Sequence, residues 1–188
     1  MESDPMIQFI YLGNLLAEKG PLVLLDACRI LQGRNVPFHC HLVGAATAEI
    51  SIQDVECIVK EYGLSGKVSI HGPRYGEEKE NLLQQADAMV FPTFYHNECF
   101  PLVLLEGMKH SLALISTSEG AIPDIIEENI TGFLVKKQDS ESLAGAMQKL
   151  AEEPTLAKKM GAAGRERYVR LFSKERFIEC ISDILRKA

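Results

Sequence analysis

The chain has 188 residues, 46% of them hydrophobic and 24% charged, with a net charge of −6; this is the mix of a globular chain with a real core, not of a disordered one. No apolar run approaches the roughly 18–20 residues that cross a bilayer, and the acidic start Met-Glu-Ser-Asp-Pro lacks the apolar stretch of a signal peptide. The negative balance speaks against a dedicated nucleic-acid binder.

Strand and helix signals alternate throughout. Residues Ile7–Gly13 form a short apolar run that ends in glycine. Gly20–Gln32 has helical spacing through Leu24, Leu25, Cys28 and Leu31. Phe38–Gly44 reads as a second strand, again ending in glycine, and Ile52–Tyr62 as a helix stopped by Gly63. Lys67–Gly72 is a third strand, Glu78–Ala86 a helix and Ala88–Thr93 a fourth strand. Pro101–His110 is a helix, Leu112–Thr117 a fifth strand, Pro123–Glu128 a short helix and Gly132–Lys136 a sixth strand. Three helices follow, near 140–152, 155–170 and 174–187.

Strands alternating with helices imply a parallel sheet with right-handed crossovers. Runs such as AMVFP and LALIS are apolar on successive residues, as expected when helices cover both faces. The expected architecture is therefore α/β, a Rossmann-like doubly wound parallel sheet of about six strands with C-terminal helices. Residues 1–6 read as a leader and 7–188 as the folded domain.

The five cysteines, Cys28, Cys40, Cys57, Cys99 and Cys180, are widely spaced and contain no C-x-x-C pair. That spacing suits neither a zinc site nor a disulfide framework, and it favours a reducing compartment. All but Cys99 are expected to be small buried hydrophobes. Charge is uneven: residues 154–188 hold nine Lys or Arg against four Asp or Glu. The plain reading is a solvated helical surface; the sharper one is a basic face beside a membrane or an acidic partner.

Ligands of open parallel sheets bind at the carboxyl ends of the strands. There the sequence places Gly13-Asn14, Gly44, Gly72-Pro73-Arg74, Pro92-Thr93 and Gly120-Ala121. Glycines at strand ends let a ligand approach the backbone. The most informative stretch runs from Glu98 to Glu106. Pro101 suits the first turn of a helix, which leaves the N–H groups of Leu102 and Val103 free to bind phosphate. Glu106 lies about 6 Å further along that helix, and a carboxylate there can accept from both hydroxyls of a diol such as ribose. Lys19, in the loop after the first strand, is placed to neutralise a diphosphate. His39 and His41 read as structural residues on a strand and His96 as a residue at the site's edge.

Together these segments resemble family 4 (group 1) glycosyltransferases, and within them the C-terminal donor-binding domain of the GT-B fold. Glu98 and Glu106 match the family's E-x7-E motif, and Glu18-Lys19-Gly20 its E-K-G. Leu42-Val43-Gly44 and Ile70-His71-Gly72 are similar to its strand-end glycines, Pro92-Thr93 to its P-S/T, Gly120-Ala121-Ile122-Pro123-Asp124 to its G-G-I-P-E, and Thr131–Val135 to its T-G-F/L-L-V. The resemblance covers about residues 7 to 187.

The resemblance implies a retaining glycosyltransferase that uses a nucleotide-diphosphate sugar as co-substrate and needs no metal or other cofactor. It implies catalytic roles for Glu98 and Lys19, with Glu98 facing the donor sugar and Lys19 the diphosphate. Phe100, Pro101, Leu102 and Val103 would bind the diphosphate through the backbone, and Glu106 the ribose. Gly13, Asn14, Gly44, Gly72, Arg74 and Gly120 would complete the donor site. It further implies polysaccharide or glycolipid synthesis and a cytoplasmic location, at the inner face of the membrane. An N-terminal acceptor domain, expected as a partner, is absent from this length of chain. The isolated half is therefore expected to bind donor weakly and transfer little. Phe177, Ile181 and Ile184 would pack against that other half.

Three departures stand out. Asn14 replaces the family's usual Arg, Cys99-Phe100-Pro101 replaces its G-F-G, and Ala121 replaces its second loop glycine. Asn14 and Pro101 favour an alternative, a non-catalytic GT-B-like module that binds a nucleotide or a partner, while the presence of Glu98, Lys19 and Glu106 argues against it. A GT-B epimerase would share the donor chemistry. A nicotinamide dehydrogenase is disfavoured because no G-x-G-x-x-G follows the first strand.

Overall fold

The computed structural model describes residues 6–187. Apart from Met6, which is exposed, the expected leader lies outside the described residues. Six strands form one parallel sheet: β1 (Ile7–Leu12), β2 (Phe38–Val43), β3 (Val68–Gly72), β4 (Ala88–Phe91), β5 (Ala113–Thr117) and β6 (Gly132–Val135), in the order β3-β2-β1-β4-β5-β6. Eight α-helices connect or follow them: α1 (Pro21–Gly33), α2 (Ile52–Glu61), α3 (Gly76–Gln85), α4 (Leu102–Lys109), α5 (Ile122–Ile125), α6 (Ser140–Glu152), α7 (Pro154–Leu171) and α8 (Lys174–Lys187). The doubly wound sheet expected from the alternation is present.

Local chemistry sets the elements. Pro21 opens α1, and Leu24, Leu25, Cys28 and Leu31 form its buried face. Ser51 and Asp54 form a reciprocal capping box at the start of α2, and Gly63, at φ +68°, closes the far end with its N–H on the Lys60 carbonyl. Every residue of β4 and β5 is buried, as helices on both faces require. The helix α6 packs beside α1, and α7 packs against α4 and β5.

Some boundaries and burials differ from expectation. Pro101 is not in the first turn of α4 but is its N-cap, because its ψ of 104° is extended. The helix expected at Pro123–Glu128 is the single turn α5. There Arg167 of α7 donates to the carbonyls of Asp124 and Ile125 at 2.8 and 3.0 Å, taking acceptors that a longer helix would use. Cys28 and Cys40 are buried as expected, but Cys57 and Cys180 are exposed, on solvent-facing positions of α2 and α8. The helix α8 also leaves Phe177, Ile181 and Ile184 exposed, with Ile178 and Leu185 beside them.

The chain runs β1, β2 and β3 outward in one direction and then crosses back to β4 beside β1. The strand order therefore reverses between β1 and β4, and the crevice above their carboxyl ends is the natural ligand position.

Candidate functional site

The crevice is assembled by close main-chain packing of five segments at strand ends. A Cβ at Gly44 would stand 1.8 Å from the Gly13 carbonyl oxygen, so the loops after β1 and β2 touch through backbone. Gly13 N–H donates to Val43 O at 3.0 Å and Gly44 N–H to Gly72 O at 3.0 Å, which adds the loop after β3. On the other side, Gly120 has φ +50°, and a Cβ there would meet the Glu98 carbonyl oxygen at 1.7 Å. Ala121 N–H donates to Cys99 O at 3.0 Å. The close approach at Gly120 is thus made to the protein's own Glu98–Cys99 backbone.

Lys19 is positioned by its neighbours. Glu18 O accepts from Phe94 N–H at 2.7 Å and from Thr93 Oγ1 at 3.3 Å, which fastens this loop to the end of β4. Gly20, at φ +80°, sits where a Cβ would strike Pro92 O at 2.3 Å. The Lys19 ammonium then lies 3.0 Å from Glu98 Oε2 and about 5.5 Å from the ring centres of Phe91 and Tyr95. Glu98 is buried, with 9% of its surface accessible. A buried carboxylate needs such a partner. Beneath this pair lies Tyr11, whose hydroxyl donates to Asn14 O at 3.0 Å. Burial, with the Glu98 charge nearby, pushes that phenol far above its ordinary value and keeps it protonated.

A second cleft, of about 200 Å³, opens beside this pair. It gathers Gly13, Asn14, Gly44, Arg74, Val103 and Glu106, all read from the sequence. Glu106 projects from α4 and is half-buried. Its Oε2 lies 2.6 Å from Lys79 Nζ of α3. Among the described residues no hydrogen bond of good geometry reaches that oxygen, so charge alone links the two groups. Pro73, in the loop read from the sequence, also lines the cleft, as do Lys79 and Tyr75, which were not legible as site residues. In the sequence Lys79 is one lysine within the acidic run EEKEN. That pattern reads as a solvated helix face.

The remaining candidates are spread around these two centres. The N–H groups of Leu102 and Val103 meet no acceptor among the described residues, at the start of α4 between Glu98 and Glu106. They supply the positive end of a helix to this crevice. Phe100 turns away, edge-on to Phe172 at 6.0 Å. The Leu102 side chain is exposed. Arg74 donates to Pro73 O at 3.1 Å and lies 3.8 Å from Glu78. His96 is exposed, 3.9 Å from Glu18. His39 and His41 join Gln8, Ser69 and His71 in a polar network on β1–β3. No group of three or more metal-ligating side chains among the described residues is arranged to hold an ion, and no described helix is long and apolar enough to cross a membrane.

Comparison with known proteins now gives the family. The model of the family "Glycosyl transferases group 1" matches residues 3–167, and the chain belongs to that family. It is 32% identical over 166 residues to the D-rhamnosyltransferase WbpZ of Pseudomonas aeruginosa, an alignment covering 88% of this chain and 41% of that protein. Its fold matches sucrose-phosphate synthase of Thermosynechococcus elongatus with a TM-score of 0.81 and 26% identity, covering 97% of this chain and 45% of that one. HepE of Anabaena, solved in complex with UDP, shares the fold at 19% identity and a TM-score of 0.86 over 97% of this chain and 49% of its own. The chain thus spans about half the length of the relatives it matches. The architecture is one Rossmann-like half of a GT-B glycosyltransferase.

Proposed function

We propose that this chain is the donor-binding half of a retaining glycosyltransferase that moves a sugar from a nucleotide-diphosphate sugar to an acceptor in polysaccharide or glycolipid synthesis. The carrying observation is the placement of two carboxylates on either side of the free N-terminus of α4. Glu98 is buried and paired with Lys19, and Glu106 is half-buried in the adjoining cleft. In this reading the diphosphate lies over the Leu102 and Val103 N–H groups and against Lys19. The ribose hydroxyls donate to Glu106, and the donor sugar faces Glu98.

Negative charge grows on the leaving diphosphate as the glycosidic bond breaks. Fixed N–H donors and the Lys19 ammonium stabilise that charge without reorganising. The acceptor hydroxyl attacks from the face that the diphosphate leaves, and its proton passes to the leaving phosphate oxygen. This route needs neither an enzymic nucleophile nor a metal. The acceptor site belongs to a second domain, and the exposed face of α8 packs against it. The reading places the chain in the cytoplasm, its basic C-terminal segment toward the inner face of the membrane. The rhamnosyltransferase and the sucrose-phosphate synthase support it by their names and likeness.

The test is calorimetric titration of the chain with UDP-, GDP- and ADP-sugars, beside Glu106→Ala and Lys19→Ala variants. Selective binding of one nucleotide, lost in both variants, is expected. Binding of none, or equal binding by the variants, overturns the reading and favours a module without donor chemistry.

A further inference from the structure

Both carboxylates of the site carry a lysine partner from another element, but only one of these lysines, Lys19, was legible in the sequence as a site residue. Lys79 reaches across the cleft from α3 to Glu106 of α4, ammonium to carboxylate, at 2.6 Å. Its side chain is only 24% exposed, so it is held in the wall of the cleft rather than waving above it. The Glu106 oxygen it meets is shut off from solvent and lacks a well-formed hydrogen bond among the described residues.

We propose that Lys79 is a positioning residue for donor recognition: it fixes one oxygen of Glu106 so that the other faces the vicinal hydroxyls of a ribose. The inference rests on the reading of Glu106 as the ribose contact. Without the ammonium, the Glu106 carboxylate can turn among its rotamers, and the ligand must order it on binding. It would also present an unbalanced negative charge to an incoming diphosphate. Lys79 removes both costs, and both act through Glu106. The effect of Lys79 should therefore vanish when Glu106 is no longer a carboxylate.

A double-mutant cycle decides this. UDP, GDP and ADP are titrated calorimetrically into the wild type, Lys79→Met, Lys79→Arg, Glu106→Gln, and Lys79→Met combined with Glu106→Gln, each checked for an intact thermal transition. For the nucleotide bound best, Lys79→Met should weaken binding about tenfold, the worth of one charge-assisted contact, and Lys79→Arg should stay within about threefold. In the Glu106→Gln background, Lys79→Met should add no more than about twofold. Lys79→Met should also reduce the preference for the ribonucleotide over its 2′-deoxy counterpart. Unchanged binding by Lys79→Met overturns the inference, as does an equal loss in both backgrounds, which would mean direct contact with the ligand. If the wild type binds none of the three, or Glu106→Gln binds as the wild type does, the ribose reading itself fails and this inference falls with it.

Discussion

The sharpest stability test lies at Gly44. Its α-hydrogen faces the Gly13 carbonyl so closely that a Cβ would sit 1.8 Å from the oxygen and 2.8 Å from the carbonyl carbon, where ordinary contact needs at least 3.4 Å. Both obstacles are backbone, so no side chain can rotate away. Gly44→Ala must separate the ends of β1 and β2. That movement strains two bonds which bracket the contact, Gly13 N–H to Val43 O at 3.0 Å and Leu15 N–H to Ala45 O at 2.8 Å. Losing one of them costs about 1 kcal/mol, and forcing an extra carbon into a packed site costs about 1–3 kcal/mol. The expected loss is therefore ~3 kcal/mol in urea unfolding, with the midpoint lowered and the slope unchanged. Because Gly13 and Asn14 line the cleft, nucleotide affinity should fall as well. Gly145→Ala is the control. Gly145 lies inside α6, and a Cβ there meets nothing within 4 Å. Alanine should stabilise that helix by about 1 kcal/mol. A loss under about 1 kcal/mol at Gly44, or an equal loss at Gly145, refutes the packing argument.

Lys19→Met should leave Glu98 buried and unpaired, lowering stability by about 1–3 kcal/mol, and adding Glu98→Gln should recover most of it; thermal melts of the single and double variants check this, and an additive loss contradicts the pairing. A pH effect should arise at His41, which lies 4.8 Å from the His39 ring and 5.2 Å from the His71 ring, centre to centre. Burial first, then the charges of those two histidines, lower its pKa from 6.5 to about 4. A histidine whose folded pKa lies below its unfolded one takes up a proton more readily when unfolded. Its contribution is therefore fully present above pH 6.5 and is lost as pH falls toward 4. His41→Gln should flatten the fall of the urea midpoint across that window, and an acid slope equal to the wild type's would count against the network.

Much of the fold was legible because it depends on periodicity that each segment carries alone. The apolar runs AMVF and ALIST state their double burial directly, and the glycines just after β1 and β2 and at the end of β3 mark where the sheet ends. Helix ends were less legible because distant groups decide them. The short α5 ends where Arg167, 42 residues away, takes the Ile125 carbonyl. Exposure of Cys57 follows from which side of α2 meets the sheet, and that of Cys180 from α8 packing on α7 with almost all its residues exposed, neither of which composition shows. In the site, Lys19, Glu98 and Glu106 were recognisable from their place beside strand ends and a helix start. Lys79 was not, since its partner lies 27 residues on in the sequence and its neighbours are acids that suggest a solvated face.

The same contrast bears on where donor choice resides. The loops that hold Glu98, Gly120, Gly13 and Gly44 are joined backbone to backbone, at separations that leave no room for a single carbon. Such loops cannot shift to suit a different ligand without breaking the packing that forms the site. On the proposed reading they would set the position of the diphosphate and the ribose, which every nucleotide-diphosphate sugar has in common. Gly72 differs: a Cβ there would meet nothing within 4 Å, and the Pro73–Arg74–Tyr75 segment that follows carries a half-buried arginine and a largely exposed tyrosine along the cleft. Exchanges in that segment alter the shape and charge of the wall while leaving the welded loops in place. Selectivity among bases should therefore change with Arg74 and Tyr75, while the wall at Gly13 and Gly44 governs whether any nucleotide binds at all.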